Sequence, residues 1–148
     1  MSKSISEPRI FRYSEIIVGM KETHDYTITP EVYEYFLAAF HDYSSIHVDE
    51  TFARSRGFQG KVMHGSLLNG FISQFVGMHF PGKNSLLLSV DLRFADPSYL
   101  GDAIRLEAKV TQKMDARKIV VLDVTLLNTT RNHVAARGRI QIMLQEEA

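Results

Sequence analysis

The hydrophobic pattern of the chain changes period part-way along. From Ser66 to Phe80 (SLLNGFISQFVGMHF) apolar residues recur at three- and four-residue spacing, and Leu67, Leu68, Phe71, Ile72, Phe75, Val76 and Met78 cover most of a helical circumference. A helix of that kind is predicted to be buried. Its small residues Ser66, Gly70, Ser73 and Gly77 form one stripe, along which another surface can come close. Pro81-Gly82 stops the helix. Beyond it the period is two, through Leu86, Leu88, Val90, Leu92 and Phe94, then Ile104, Leu106, Ala108 and Val110. The same alternation runs through Val120, Leu122, Val124 and Leu126, and through Val134, Ala136, Ile140, Ile142 and Leu144. Four strands with one apolar face each predict an antiparallel sheet with a single buried side. Turns are expected at Asp96-Pro97, Gly101-Asp102, Met114-Asp115 and Thr130-Arg131-Asn132.

Upstream of the long helix the pattern is shorter. Lys21 to Thr29 alternates as a strand, and Thr29-Pro30 is an N-cap followed by proline at the first helical position. Val32, Tyr35, Phe36, Ala39 and Phe40 then give a helix with one inward face, ending near His41. A turn of helix is expected from about Asp49 to Arg56, stopped by Gly57, and the Asp42 to His47 segment is expected to be non-helical. Residues 1–14 read as a loose arm in which Ile10, Phe11 and Tyr13 can pack locally. One apolar helix and a sheet with one apolar face predict an α+β chain, a curved antiparallel sheet wrapped around a long central helix, which is the hot-dog fold. The 148 residues fit a single such domain, 1–148.

Charge and composition narrow the function more than the fold. Lys plus Arg and Asp plus Glu are equal at 17 each, so no net field draws the chain to nucleic acid or to an anionic membrane. With no cysteine there is neither a thiolate nucleophile nor a Cys-based zinc site. The first residues lack an apolar signal core and no apolar run approaches the ~20 residues of a membrane span, so a cytoplasmic protein is expected.

Candidate chemistry concentrates between Asp42 and Gly65. A carboxylate, Asp42, precedes an imidazole, His47, by five residues. The segment ends at His64-Gly65, where the unpaired N–H groups of a helix start begin. A base, an acid and an anion-stabilising helix start thus fall within 24 residues. Asp42 and His47 can divide the first two roles. The start of the central helix, at the positive end of its dipole and with no side chain on Gly65 in the way, suits the third. Taken alone, each residue also has a structural reading. Asp42 can end a helix, Gly65 can permit a turn, and Ser73 can be a small packing residue. His64 reads as a packed, hydrogen-bonded histidine, and His24, His41, His79 and His133 lack the spacing of a metal site.

The chain carries Asp42-Tyr43-Ser44-Ser45-Ile46-His47-Val48-Asp49, Phe52-Ala53, Val62-Met63-His64-Gly65, Pro81-Gly82-Lys83, and Phe94-Ala95-Asp96-Pro97 followed by Gly101-Asp102. In order and spacing these motifs together resemble the MaoC-like, or hydratase 2, group of (R)-specific enoyl-CoA hydratases and 3-hydroxyacyl dehydratases. The resemblance covers about Glu15 to Leu144. It implies a homodimer of hot-dog subunits that adds water to a trans-2-enoyl thioester, or removes it, with neither metal nor prosthetic group. It also implies that Asp42 and His47 bind and activate the water and that Gly65 offers its N–H to the thioester carbonyl. Ser73 occupies a position that touches the site in some members. At ~1.5 Å per residue it lies roughly 12 Å along the helix from Gly65, which gives it an orienting role rather than contact with the thioester oxygen. The chain departs from the commonest motif at Ser44 and Ser45, usually Asn and Pro, and at Phe40-His41, usually a small pair. Two other functions share the expected fold, a thioesterase and a non-catalytic acyl-thioester binder. Residues 66–80 contain no acid, which counts against the thioesterase. The presence of both Asp42 and His47 counts against the binder.

Overall fold

A computed structural model describes residues 6–146. Its elements are β1 (Lys21–Thr27), α1 (Pro30–Phe40), α2 (Ser45–Val48), α3 (Glu50–Ser55), α4 (Gly65–Met78), β2 (Ser85–Phe94), β3 (Ala103–Met114), β4 (Ile119–Asn128) and β5 (His133–Leu144). The strands form one sheet in the order β1-β3-β4-β5-β2, with every neighbouring pair antiparallel. α4 packs on its apolar side, giving the expected hot-dog fold. Leu67, Leu68, Phe71, Ile72, Phe75 and Val76 of α4 share one core with residues such as Leu106, Leu122 and Ile140. Full burial of each such side chain is worth ~1.5–3 kcal/mol. Among the described residues, no helix is long and apolar enough to cross a membrane.

The local signals act as their chemistry dictates. The Thr29 hydroxyl accepts the Val32 N–H at 3.1 Å with Pro30 at the first helical position, so α1 starts there. It ends where His41 turns left-handed, at φ 56°. That conformation costs an L-residue ~1–2 kcal/mol relative to glycine, which gives physical content to the departure from the usual small pair before Asp42.

Three expectations are corrected. The arm is not loose where it is described. Arg9 and Phe11 donate their N–H groups to Met78 and Pro81, Phe11 packs edge-on against Phe80, and buried Tyr13 donates its hydroxyl to Asp115 at 2.7 Å. Aromatic area and the carbonyls of Met78, at the end of α4, and Pro81 hold it down, and residues 1–5 of the arm lie outside the described residues. The central helix is not buried all round. Ser66, Asn69, Gly70, Ser73 and Gln74 are exposed on the side away from the sheet. Finally, the alternation of β2 slips. A register shift between Leu87 and Ser89 turns Leu87, Val90 and Leu92 inward and leaves Leu86 and Leu88 exposed. Nearby Gly138 is required, because a Cβ there would lie 1.9 Å from the Asp91 carbonyl oxygen on the paired strand.

Candidate active site

Asp42 follows the left-handed end of α1, and the next residues pin its carboxylate. The Ser44 hydroxyl donates to Oδ1 at 2.6 Å and the Ser44 N–H to the same oxygen at 3.2 Å. Oδ2 is left for other partners. These bonds, the hydroxyl first, hold the Asp42 pKa below the ordinary carboxylate value, and the neighbouring imidazoles act in the same direction.

His47 lies on α2, a single helical turn where a non-helical segment was expected. Four residues are too few to show a period, and to the turn's own bond, Asp49 N–H to the Ser45 carbonyl at 2.8 Å, distant segments add others. Tyr33 of α1 donates its hydroxyl to the His47 carbonyl at 2.7 Å, and the Val62 N–H donates to Ile46 at 3.0 Å. His47 Nδ1 faces the Val62 carbonyl at 2.7 Å and must carry the proton, so in the neutral ring Nε2 keeps its lone pair. That atom lies 3.9 Å from Asp42 Oδ2. A water oxygen at ~2.8 Å from each fits between them.

His64 belongs to the same cluster. It is 1% exposed, lies with its ring centroid 4.0 Å from that of His47 and tilted by 31°, and donates its Nε2–H to the Asp42 carbonyl at 2.9 Å. Burial lowers its pKa. Its position as N-cap residue of α4, in the Val62-Met63-His64-Gly65 motif, was the available clue; what it touches was not legible. Asp42, His47 and His64 could be taken for a metal cluster, since one ligand atom from each falls within 4.8 Å of the others. The proton inventory argues against it. His64 Nε2 is committed as a donor and His64 Nδ1 is buried without a partner. Asp42 Oδ2 and His47 Nε2 are then the convergent lone pairs, fewer than the three or four ligands of a zinc site.

Gly65 is the first residue of α4, so its N–H has no carbonyl one turn earlier to meet. The Phe94 ring covers it closely enough that a Cβ on Gly65 would lie 2.8 Å from Phe94 Cζ. Asp42, His47, His64, Gly65 and Phe94 line one open cavity of ≈ 430 Å³, together with Phe58 and the Ala95–Ser98 loop. Ser73 is not on it. It lines a neighbouring recess of ≈ 520 Å³ with Phe36, Phe40 and Gly70, and Asp42 and Ser66 are common to both spaces. No hydrogen bond joins the Ser73 hydroxyl to Asp42 or His47. Arg54 is paired with Glu50, while Arg56 and Lys61 lie over the rings of Phe52 and Tyr33.

Residues 15–132 match the family described as MaoC like domain. An (R)-specific enoyl-CoA hydratase of Aeromonas caviae is 31% identical over 109 residues, 74% of this chain and 81% of that protein. A 3-hydroxybutyryl-CoA dehydratase of Methylorubrum extorquens is 26% identical over 114 residues, covering 77% and 73% respectively. Among solved structures, the unliganded R-hydratase PhaJ1 of Pseudomonas aeruginosa superposes with a TM-score of 0.86 at 27% identity, over 96% of this chain and 90% of that one.

Proposed function

The chain belongs to the MaoC-like family and is an enzyme of the hydratase and dehydratase kind, a hydro-lyase; from that premise we propose that it interconverts trans-2-enoyl thioesters and (R)-3-hydroxyacyl thioesters. One observation carries the reading. Asp42 Oδ2 and His47 Nε2 are 3.9 Å apart, and both residues line the cavity that Gly65, the first residue of α4, also lines. With Asp42 ionised and the ring proton of His47 held on Nδ1 by the Val62 carbonyl, the two facing atoms Oδ2 and Nε2 act as acceptors. The proton released when water attacks Cβ is therefore the one that reaches Cα, carried there by the pair. The new O–Cβ bond and the new C–H bond balance the O–H bond of water and the π bond that are lost. Negative charge gathers on the thioester oxygen in between, and the proposed donor to it is the N–H of Gly65 at the start of α4. No metal is needed in this scheme, and the only coenzyme is the one esterified to the substrate.

The test is incubation with crotonyl-CoA and a longer trans-2-enoyl-CoA. Loss of conjugated-enoyl absorbance without release of free thiol supports hydration. Thiol release would replace it with a thioesterase, and no change with either substrate would leave an acyl-thioester binder.

The recess beside the cavity suits the acyl chain. Nothing lies within 4 Å of a Cβ built on Gly70, so Gly70→Leu is expected to fold and to fill that space. Its kcat/KM for the longer substrate should fall by ~10-fold or more relative to crotonyl-CoA. Ser73→Ala should change either rate far less. An unchanged substrate ratio in Gly70→Leu would move the acyl chain elsewhere.

A homodimer is part of the same proposal, and a cytoplasmic location with it. β2 is an edge strand with Leu86 and Leu88 exposed, and Phe40, Tyr43 and Phe94 add aromatic area that water would otherwise cover. Sedimentation at micromolar concentration should give twice the 16.8 kDa of one chain. A single species at the monomer mass would exclude it.

A further inference from the structure

The Gly101-Asp102 pair has no part in the chemistry above, yet its carboxylate is among the most enclosed in the molecule. Asp102 is 2% exposed, between the cavity-lining loop and β3. One of its oxygens, Oδ2, accepts three donors: the Tyr99 N–H at 2.9 Å, Asn128 Nδ2 at 2.7 Å and Arg131 Nε at 2.8 Å. A buried carboxylate left unpaired would be costly, so this threefold satisfaction fixes the parts that supply it. Those parts bear on the site. Tyr99 follows Ser98 directly, and the Ser98 carbonyl accepts the Met63 N–H at 2.9 Å, two residues before Gly65. Arg131 lies 4.3 Å over the Tyr99 ring and donates to the Gln59 side chain at 2.6 Å, while the Gln59 N–H reaches the Tyr99 hydroxyl at 3.2 Å. The two strands of loop that enclose the cavity are therefore cross-tied from behind through a single carboxylate.

We propose that Asp102 is a positioning residue for the reaction: by gathering Tyr99, Asn128 and Arg131 it fixes the Ser98 carbonyl, which places Met63 and hence the Gly65 N–H at the start of α4. Asp102 touches no substrate. Its effect on rate rests on the hydratase reading, but its effect on the loop does not. A buried anion suits this work better than a neutral amide, because all three groups donate to it and one is a cation.

The test uses Asp102→Asn and Asp102→Asn/Arg131→Gln in the full-length protein. The second variant removes the guanidinium that the first leaves uncompensated, and so separates fold stability from positioning. Hydrogen exchange of the Met63 amide is compared with that of Leu122, in the middle of β4. In both variants Met63 should exchange at least ~10-fold faster relative to Leu122, because its acceptor has lost its anchor. On an enoyl-CoA that the parent hydrates, kcat should fall ~10-fold or more with KM little changed, since the misplaced donor matters most in the transition state. The double variant should recover thermal stability without recovering kcat. Parent-like Met63 exchange in Asp102→Asn overturns the proposal whatever the activity, and so does recovery of kcat together with stability. A parent inactive on every enoyl thioester overturns the hydratase reading instead, and the exchange ratio still decides the role of Asp102.

Discussion

Asp42→Asn and His47→Gln are each expected to lower kcat for enoyl-thioester hydration by ~10²- to 10⁴-fold, the usual contribution of a general acid or base, and the double variant should lose little more. In the proposed mechanism the two side chains share one water between Oδ2 and Nε2, which are 3.9 Å apart. Removing either leaves that water misplaced or unactivated, so the two losses should not add. Both replacements keep size and some hydrogen bonding. The new asparagine can still accept from Ser44, and the new glutamine can still reach the Val62 carbonyl, so circular dichroism should remain parent-like. The sign of the pH dependence follows from Asp42. Ser44 holds its carboxyl below the ordinary range, so the loss of rate caused by protonating it comes on as pH falls, and only below that range. Ser44→Ala removes the largest cause and should move that loss to higher pH. Near-parent rates in either folded single variant would break the assignment of the pair.

Gly65→Val should be the second severe change, with turnover reduced ~10²-fold or more while binding of the acyl thioester weakens less. Two effects combine. The new Cβ would start 2.8 Å from Phe94 Cζ, with the other near atoms also in that ring, so Phe94 must move or the start of α4 must yield. Either outcome disturbs the N–H proposed to meet the thioester oxygen. Because Phe94 is 56% exposed, its ring has room to swing, and the variant should fold. Gly65→Val/Phe94→Ala separates the causes. Recovery of turnover in the double variant would show that crowding by Phe94 dominates, and continued loss would place the defect at the N–H itself. Unchanged turnover in folded Gly65→Val would remove Gly65 from the mechanism.

Much of this architecture could be read from one-dimensional patterns, because the forces behind them are local or periodic. The change from period 3.6 to period 2 predicted α4 and the long strands, since burying one face demands that repeat. Thr29-Pro30 marked the start of α1 through a bond reaching only three residues ahead. The family motifs singled out Asp42, His47 and Gly65, and the fold brings these three onto one cavity while Ser73 lines the recess next to it.

Other features depend on contacts between distant segments, and no local signal carries them. The strand slip at Leu87 and Ser89 depends on how β2 meets β5, so Leu86 and Leu88 looked inward in sequence and are outward in space. α2 is closed by Tyr33 and Val62, 14 and 15 residues from His47. The tautomer of His47 follows from that Val62 carbonyl, and the protonated nitrogen of His64 from the carbonyl of Asp42, 22 residues away. Asp102 looked like a turn residue beside Gly101, and only the return of Asn128 and Arg131 from the β4–β5 end makes it a buried hub. Sequence alone determined which residues are equipped for the chemistry, because side-chain type and spacing are written in it. Tertiary structure decided which lone pair, proton and N–H each one presents, because those depend on partners that only folding brings within hydrogen-bond reach.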